Sequence, residues 1–205
     1  MTQAERRAST RARLIDAAAD VFAREGFPGA SIERVTDAAG LSRGSFYAHF
    51  ESKDDLLLAL VDRMVGDVQR FLTDLLDADP TPAAIIDALR GVRVGNSRGD
   101  RQWLLLYGEL RQQALRDRKL RRRLTTHQRR LRELIAALID RQSELLDFAP
   151  PAPSDQLALI LIALDEGLTL LRATDDKIPN TAFLDALALL FESMTALALT
   201  RRTRR

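Results

Sequence analysis

The stretch Ser42–Lys53, SRGSFYAHFESK, interleaves hydroxyls, cations and aromatic rings at helical spacing. Phe46 and Phe50 fall at i and i+4, so both point to one side of a short helix and leave the other face polar. Ser42, Arg43, Gly44 and Ser45 occupy its start, and Tyr47 lies one turn beyond Arg43 on the same face. A helix that enters the DNA major groove meets base edges with its N-terminal residues. Arg43 there can pair in bidentate fashion with guanine O6 and N7, worth roughly 1–3 kcal/mol of discrimination. Glycine weakens a helix, so Gly44 asks for a reason, and close approach of the backbone to DNA supplies one. The Tyr47 hydroxyl can reach a phosphate. Ser31 and Thr36 are second-rank phosphate contacts, and free N–H groups at the helix start extend the anion site.

Other chemistries find no support. The 205-residue chain has no Cys, which excludes disulfides and thiolate chemistry, and only two His, His49 and His127, which argues against a metal site. It contains no nucleophile–base pair, metal-ligand cluster or phosphate loop. The expectation is therefore no enzyme and no cofactor. No apolar run approaches the roughly 18 residues of a membrane span, and no apolar stretch follows the first arginines as in a secretory signal. The expected compartment is the cytoplasm, without membrane association. Hydrophobic residues make up 46% and charged residues 29%, a globular balance, while aromatics at 5% leave a core of Leu, Ala, Ile and Val that favours helices. A net charge of +2 says little by itself; the placement of the arginines matters more.

The elements that position the polar stretch follow from periodicity. A helix is expected from Ser9 to Arg24, with Leu14, Ile15, Ala18, Val21 and Phe22 on one face and Gly26 as its stop. Before it, Arg6, Arg7, Arg11 and Arg13 form a basic arm, either a solvated end or a phosphate contact. Ser31 caps a helix through Ala39, Gly40 ends it, and Ser42 caps the next. Two short helices about a tight turn make a helix-turn-helix. Ser52 opens a long helix from Lys53 to Asp79, about 38 Å at 1.5 Å per residue. Further helices are expected at Pro82–Val94, Gln102–Leu115, Arg118–Leu146, Ser154–Arg172 and Thr181–Leu199, and no strand.

The segment Ser31–Lys53, SIERVTDAAGLSRGSFYAHFESK, with Gly26-Phe27 before it and Asp54-Asp55-Leu56-Leu57 after it, resembles the DNA-binding signature of the TetR family of bacterial regulators. The resemblance implies an all-α fold. A three-helix DNA-binding domain would span residues 1–52, and a helical effector-binding and dimerisation domain residues 53–205. It also implies backbone contacts from Tyr47, His49 and Lys53. The expected partners are double-stranded operator DNA, a second copy of the chain and a small-molecule effector of unstated identity. The expected role is a dimeric repressor released from a palindromic operator by that effector.

For the effector, Trp103 and Tyr107 share a face at i and i+4, and Met64 and Phe71 lie on one side of the long helix. Arg111 and His127, with Glu109 and Gln112, could supply polar groups; plain core is the competing reading. For the dimer, Leu157, Ile160, Leu161, Leu164, Leu168 and Leu171 pair with Phe183, Leu184, Leu187, Leu190 and Phe191 in an apolar four-helix interface. The basic run from Arg116 to Arg132 is threaded by Leu120, Leu124 and Leu131. It reads as the solvated face of an amphipathic helix, or as a site for an anion.

Overall fold

The computed structural model describes residues 2–94, 97–147 and 149–202, with side-chain detail for 2–91, 104–147 and 149–193. Among them are nine helices and no strand: α1 Gln3–Glu25, α2 Ile32–Ala39, α3 Arg43–Tyr47, α4 Lys53–Asp77, α5 Pro82–Val94, α6 Ser97–Ala114, α7 Arg118–Leu145, α8 Ser154–Arg172 and α9 Ala182–Arg202. None is long and apolar enough to cross a membrane.

The first helix starts six residues earlier than Ser9, and a capping box explains why. The Glu5 amide donates to Thr2 Oγ1 at 3.2 Å and the Thr2 amide donates to Glu5 Oε2 at 2.9 Å. The basic arm is therefore helical. Ser31 caps α2 by accepting from the Arg34 amide at 3.2 Å. Gly40 then closes α2 at φ +62°, a left-handed conformation that a side chain would strain. Ser42 caps α3 by accepting from the Ser45 amide at 3.1 Å.

The chain divides into two compact units, Met1–Asp67 with Arg101–Leu124, and Val68–Asp100 with Thr125–Arg205. The first unit extends beyond the 1–52 span because its core needs more helices. Leu14, Val21 and Phe22 of α1, Val35 of α2, Phe46 and Phe50 are covered by Leu56, Leu57 and Leu60 of α4, Leu106 and Leu110 of α6, and Leu120 and Leu124 of α7. Phe22 and Phe46 are 1% and 0% exposed. Each such side chain contributes roughly 1.5–3 kcal/mol on burial.

In the second unit Leu72 and Leu75 of α4, Ile85 of α5, and Leu134 and Leu138 of α7 form a smaller core. The end of α4 is pinned there. Arg141 of α7 makes a bidentate pair with Asp79 at 2.5 and 2.6 Å, and the Gln142 side-chain amide donates to the Pro80 carbonyl at 2.8 Å. In the last two helices Ala158, Leu184 and Leu187 are buried, while Leu159, Ile160, Leu170, Leu171, Leu189 and Leu190 are exposed.

Candidate nucleic-acid interface

The polar face of α3 is built on Phe46. That ring sits edge-on to Tyr47 at 5.3 Å and tilted against Phe50 at 5.8 Å. With Phe46 fixed inward, Arg43, Gly44 and Tyr47 are turned out, and Tyr47 is 50% exposed. A Cβ added at Gly44 would meet only Ser42 Oγ, at an ordinary 3.7 Å. Nothing within the fold requires glycine there, and the position faces open space.

Arg43 is held in place before any partner arrives. Its guanidinium pairs with Glu33 of α2 at 2.6 Å, lies 3.5 Å from the Tyr47 hydroxyl and sits over that ring at 5.8 Å. The Tyr47 contact, then Glu33, hold its charge more firmly than usual. Glu33 is held below the ordinary carboxylate range by its backbone hydrogen bond, by Ser31 and by Arg43. Glu33 was not singled out from the sequence. It lies ten positions before Arg43 across a turn, so no helical spacing rule links them.

The arginines of α1 support this surface. Arg13 donates to the carbonyls of Ala39 and Gly40 at 2.7 and 3.4 Å, which satisfies the end of α2. Arg7 donates to the Ala48 carbonyl at 3.4 Å, and Arg11 stacks over Phe50 at 5.1 Å. The arm thus braces the helix-turn-helix through groups that remain exposed. His49 is half-buried beside it, and burial, then Arg7 and Arg11, lower its pKa below the ordinary 6.5.

Two of the expected phosphate contacts are engaged within the fold. Thr36 is 3% exposed and its hydroxyl donates to the Glu33 carbonyl at 2.9 Å, so it is structural. Lys53 turns back on the α1–α2 turn. Its ammonium donates to the Phe27 and Ala30 carbonyls, each at 2.7 Å, reaches the Pro28 carbonyl at 3.5 Å, and lies 4.6 Å over the Phe27 ring. Ser31 and Ser42 serve as caps, and Ser45 shares a 3.0 Å hydrogen bond with Ser42.

The expected effector residues do not converge on one described cavity. Met64 and Tyr107 pack on the core of the first unit, with Arg111 over the Tyr107 ring at 4.7 Å. Phe71 packs on the core of the second unit, where the His127 carbonyl accepts from Gln69 at 3.4 Å. The side chain of Trp103 lies outside the described residues. A surface cleft of about 390 Å³ in the first unit is lined by Pro28, Glu109, Gln112, Gln113, Arg116 and Asp117. Among the described residues no group of three or more His, Asp or Glu could hold a metal.

Of the expected dimer residues, Leu157, Leu161, Leu164, Leu168, Phe183 and Phe191 are half-buried, and Leu187 is inside its own protomer at 7% exposed. Of the more exposed apolar residues of α8, Ile160 and Leu171 fall on the same side as Leu157, Leu164 and Leu168, and Leu159 and Leu170 on the opposite side. The basic run is partly neutralised: Arg123 pairs with Asp62 at 2.5 Å, Arg132 with Asp155 at 2.7 Å, and Arg130 with Glu133 at 3.6 Å.

Comparison with known proteins adds identity to geometry. Residues 14–60 match the family model described as bacterial regulatory proteins, tetR family, and residues 93–196 match that of the BetI-type transcriptional repressor, C-terminal. The HTH-type transcriptional repressor AcnR of Corynebacterium efficiens is 26% identical over 159 residues, covering 78% of this chain and 79% of the relative. An HTH-type transcriptional repressor of Mycobacterium tuberculosis is 29% identical over 182 residues, 87% of this chain and 90% of that one. The crystal structure of regulatory protein TetR from Rhodobacter sphaeroides superposes with a TM-score of 0.70 at 22% identity, over 87% of this chain and 95% of that one, a likeness of fold.

Proposed function

The chain belongs to the TetR family of bacterial transcription regulators, and from that premise we propose that it is a homodimeric repressor which holds a palindromic operator and is released by a small-molecule effector. The observation that carries the reading is the face of α3. Arg43, Gly44 and Tyr47 stand outward on a wholly buried Phe46, and Gly44 leaves space that nothing in the fold fills.

Arg43 exchanges Glu33 for a guanine edge, Gly44 lets the backbone come close, and the Tyr47 hydroxyl and His49 meet phosphates. Arg7 and Arg11 add positive charge beside them. The outward leucines of α8 and α9 cover one another in the dimer, with the half-buried Leu157, Leu161, Leu164, Leu168, Phe183 and Phe191 at the margin. Two recognition helices then read half-sites about 34–36 Å apart.

Release follows from chain continuity. Residues 53–67 of α4 belong to the first unit and 68–77 to the second, so an effector that displaces the far part of the helix re-aims the near part. Coupling of that kind is typically 1–3 kcal/mol and reciprocal, so operator DNA weakens effector binding by the same factor.

The test is footprinting of the purified protein on its own upstream DNA over a salt series, beside Gly44→Val and Tyr47→Phe. Protection of a palindrome, a steep fall of affinity with salt and loss in both variants are expected. Weak uniform binding insensitive to either substitution would overturn the assignment of α3.

A further inference from the structure

Outside the recognition face, one carboxylate reaches a backbone amide of the turn that leads into α2. Glu109 of α6 accepts a hydrogen bond from the Phe27 backbone amide at 2.7 Å, across 82 positions of sequence. Its other oxygen, Oε1, lies 3.2 Å from where a Cβ on Gly26 would stand. Gly26 itself caps α1 at φ +72°, where side chains are strained, so both its conformation and the nearby carboxylate disfavour a side chain there. The opposite pole of the same turn is held by Lys53 of α4, whose ammonium takes the Phe27 and Ala30 carbonyls at 2.7 Å. A carboxylate thus holds the turn's donor and an ammonium its acceptors, both as charge-assisted hydrogen bonds of the stronger kind. Ser31, the cap of α2, follows directly.

We propose that Glu109 is a positioning residue for operator binding: its bond to the Phe27 amide sets the direction in which α2, and α3 after it, leave the core, and so ties the place of α6 to the grip on DNA. The inference rests on the operator-binding reading above. Helices move as rigid bodies, and a turn freed at its amide lets α2 pivot about the remaining Lys53 contacts. Base readout needs a fixed angle, whereas attraction to phosphates does not. Loss of Glu109 therefore weakens specific binding and spares non-specific binding. By linkage, operator DNA that fixes the head also holds the Phe27 amide closed.

The experiment uses the full chain as wild type, Glu109→Ala and Glu109→Gln, with DNA selected from a random pool by the wild type and an unrelated duplex for comparison. Circular dichroism confirms folding of each variant. Glu109→Ala is expected to lose roughly tenfold in affinity for the selected DNA, the scale of one hydrogen bond to a charged group, with affinity for the unrelated duplex unchanged. Exchange of the Phe27 amide should quicken by a similar factor. Glu109→Gln keeps an accepting oxygen and should recover most of the loss; should the Ala variant fail to fold, Phe27 exchange in the Gln variant carries the test. Wild-type affinity in Glu109→Ala, an equal loss on both duplexes or unchanged Phe27 exchange would overturn the proposal alone. A wild type that selects no DNA would overturn the operator reading, and this proposal with it.

Discussion

The helix-turn-helix and the last two helices are both rich in apolar residues, yet the first has its apolar faces covered, with the help of α4, α6 and α7, and the second does not. In the head, Phe22, Phe46, Val35 and Leu56 are at most 1% exposed, and the ends of α2 and α3 are capped by Ser31, Gly40, Arg13 and Ser42. In α8 and α9, Leu159, Ile160, Leu170, Leu171, Leu189 and Leu190 are 43–64% exposed. A complete core leaves the head free to present polar groups outward. The helical pair presents apolar surface instead, of the kind that obligate interfaces bury.

The largest expected effect breaks the comparison from both sides with apolar deletions. Phe46→Ala removes a fully buried ring and should cost about 3–5 kcal/mol, read as a fall in the chemical-denaturation midpoint and loss of DNA binding. Leu171→Glu with Leu190→Glu should leave the protomer helical while sedimentation shifts from dimer to monomer. A double variant that remains dimeric would place the interface elsewhere.

A smaller effect separates the two possible roles of Lys53. Lys53→Met leaves the carbonyls of Phe27 and Ala30 without their donor, a loss of about 1–3 kcal/mol in stability. If Lys53 only latches this turn, the salt dependence of operator binding keeps its slope. A slope reduced by about 1.8, about 0.9 for each of the dimer's two copies, would instead mark a phosphate contact.

The sequence made legible what local periodicity controls. Leu14, Val21 and Phe22, or Phe46 and Phe50, declare their inward faces by spacing, and Ser31, Gly40 and Ser42 declare helix ends by conformational preference. The family signature itself lies within that local stretch. What escaped was set by contacts distant in sequence. Thr36 sits in a polar helix and looks exposed until the rest of the head covers it. Lys53 lies 26 residues from the carbonyl it binds, and Glu109 lies 82 from its amide. The start of α1 was legible in principle, since Thr2 and Glu5 have capping-box spacing, but the density of arginines after them drew the reading of a basic arm before the helix. Along α8 the run 157–164 is apolar at every position, so periodicity cannot say which of its residues turn outward; only the packing of Ala158 and Leu184 decides.

The smallest effect concerns the one place where the closed head holds an ionisable group in discomfort. Burial, then Arg7 and Arg11, lower the pKa of His49 below 6.5. The folded state therefore binds fewer protons here than the unfolded chain, so the stability present above pH 6.5 declines as pH falls through the lowered value. A DNA phosphate against His49 reverses the sign. It favours the imidazolium and screens the two arginines, so the bound state holds the proton to higher pH than the free protein. Operator affinity should then rise as pH falls from 7.5 to 5.5, by less than about tenfold per unit for each protomer, since one proton is linked at each His49. In His49→Gln that contribution should vanish, while the salt dependence due to the arginines remains. Equal pH profiles for wild type and His49→Gln would remove His49 from the interface and leave it, like Thr36, a residue of the head's own packing.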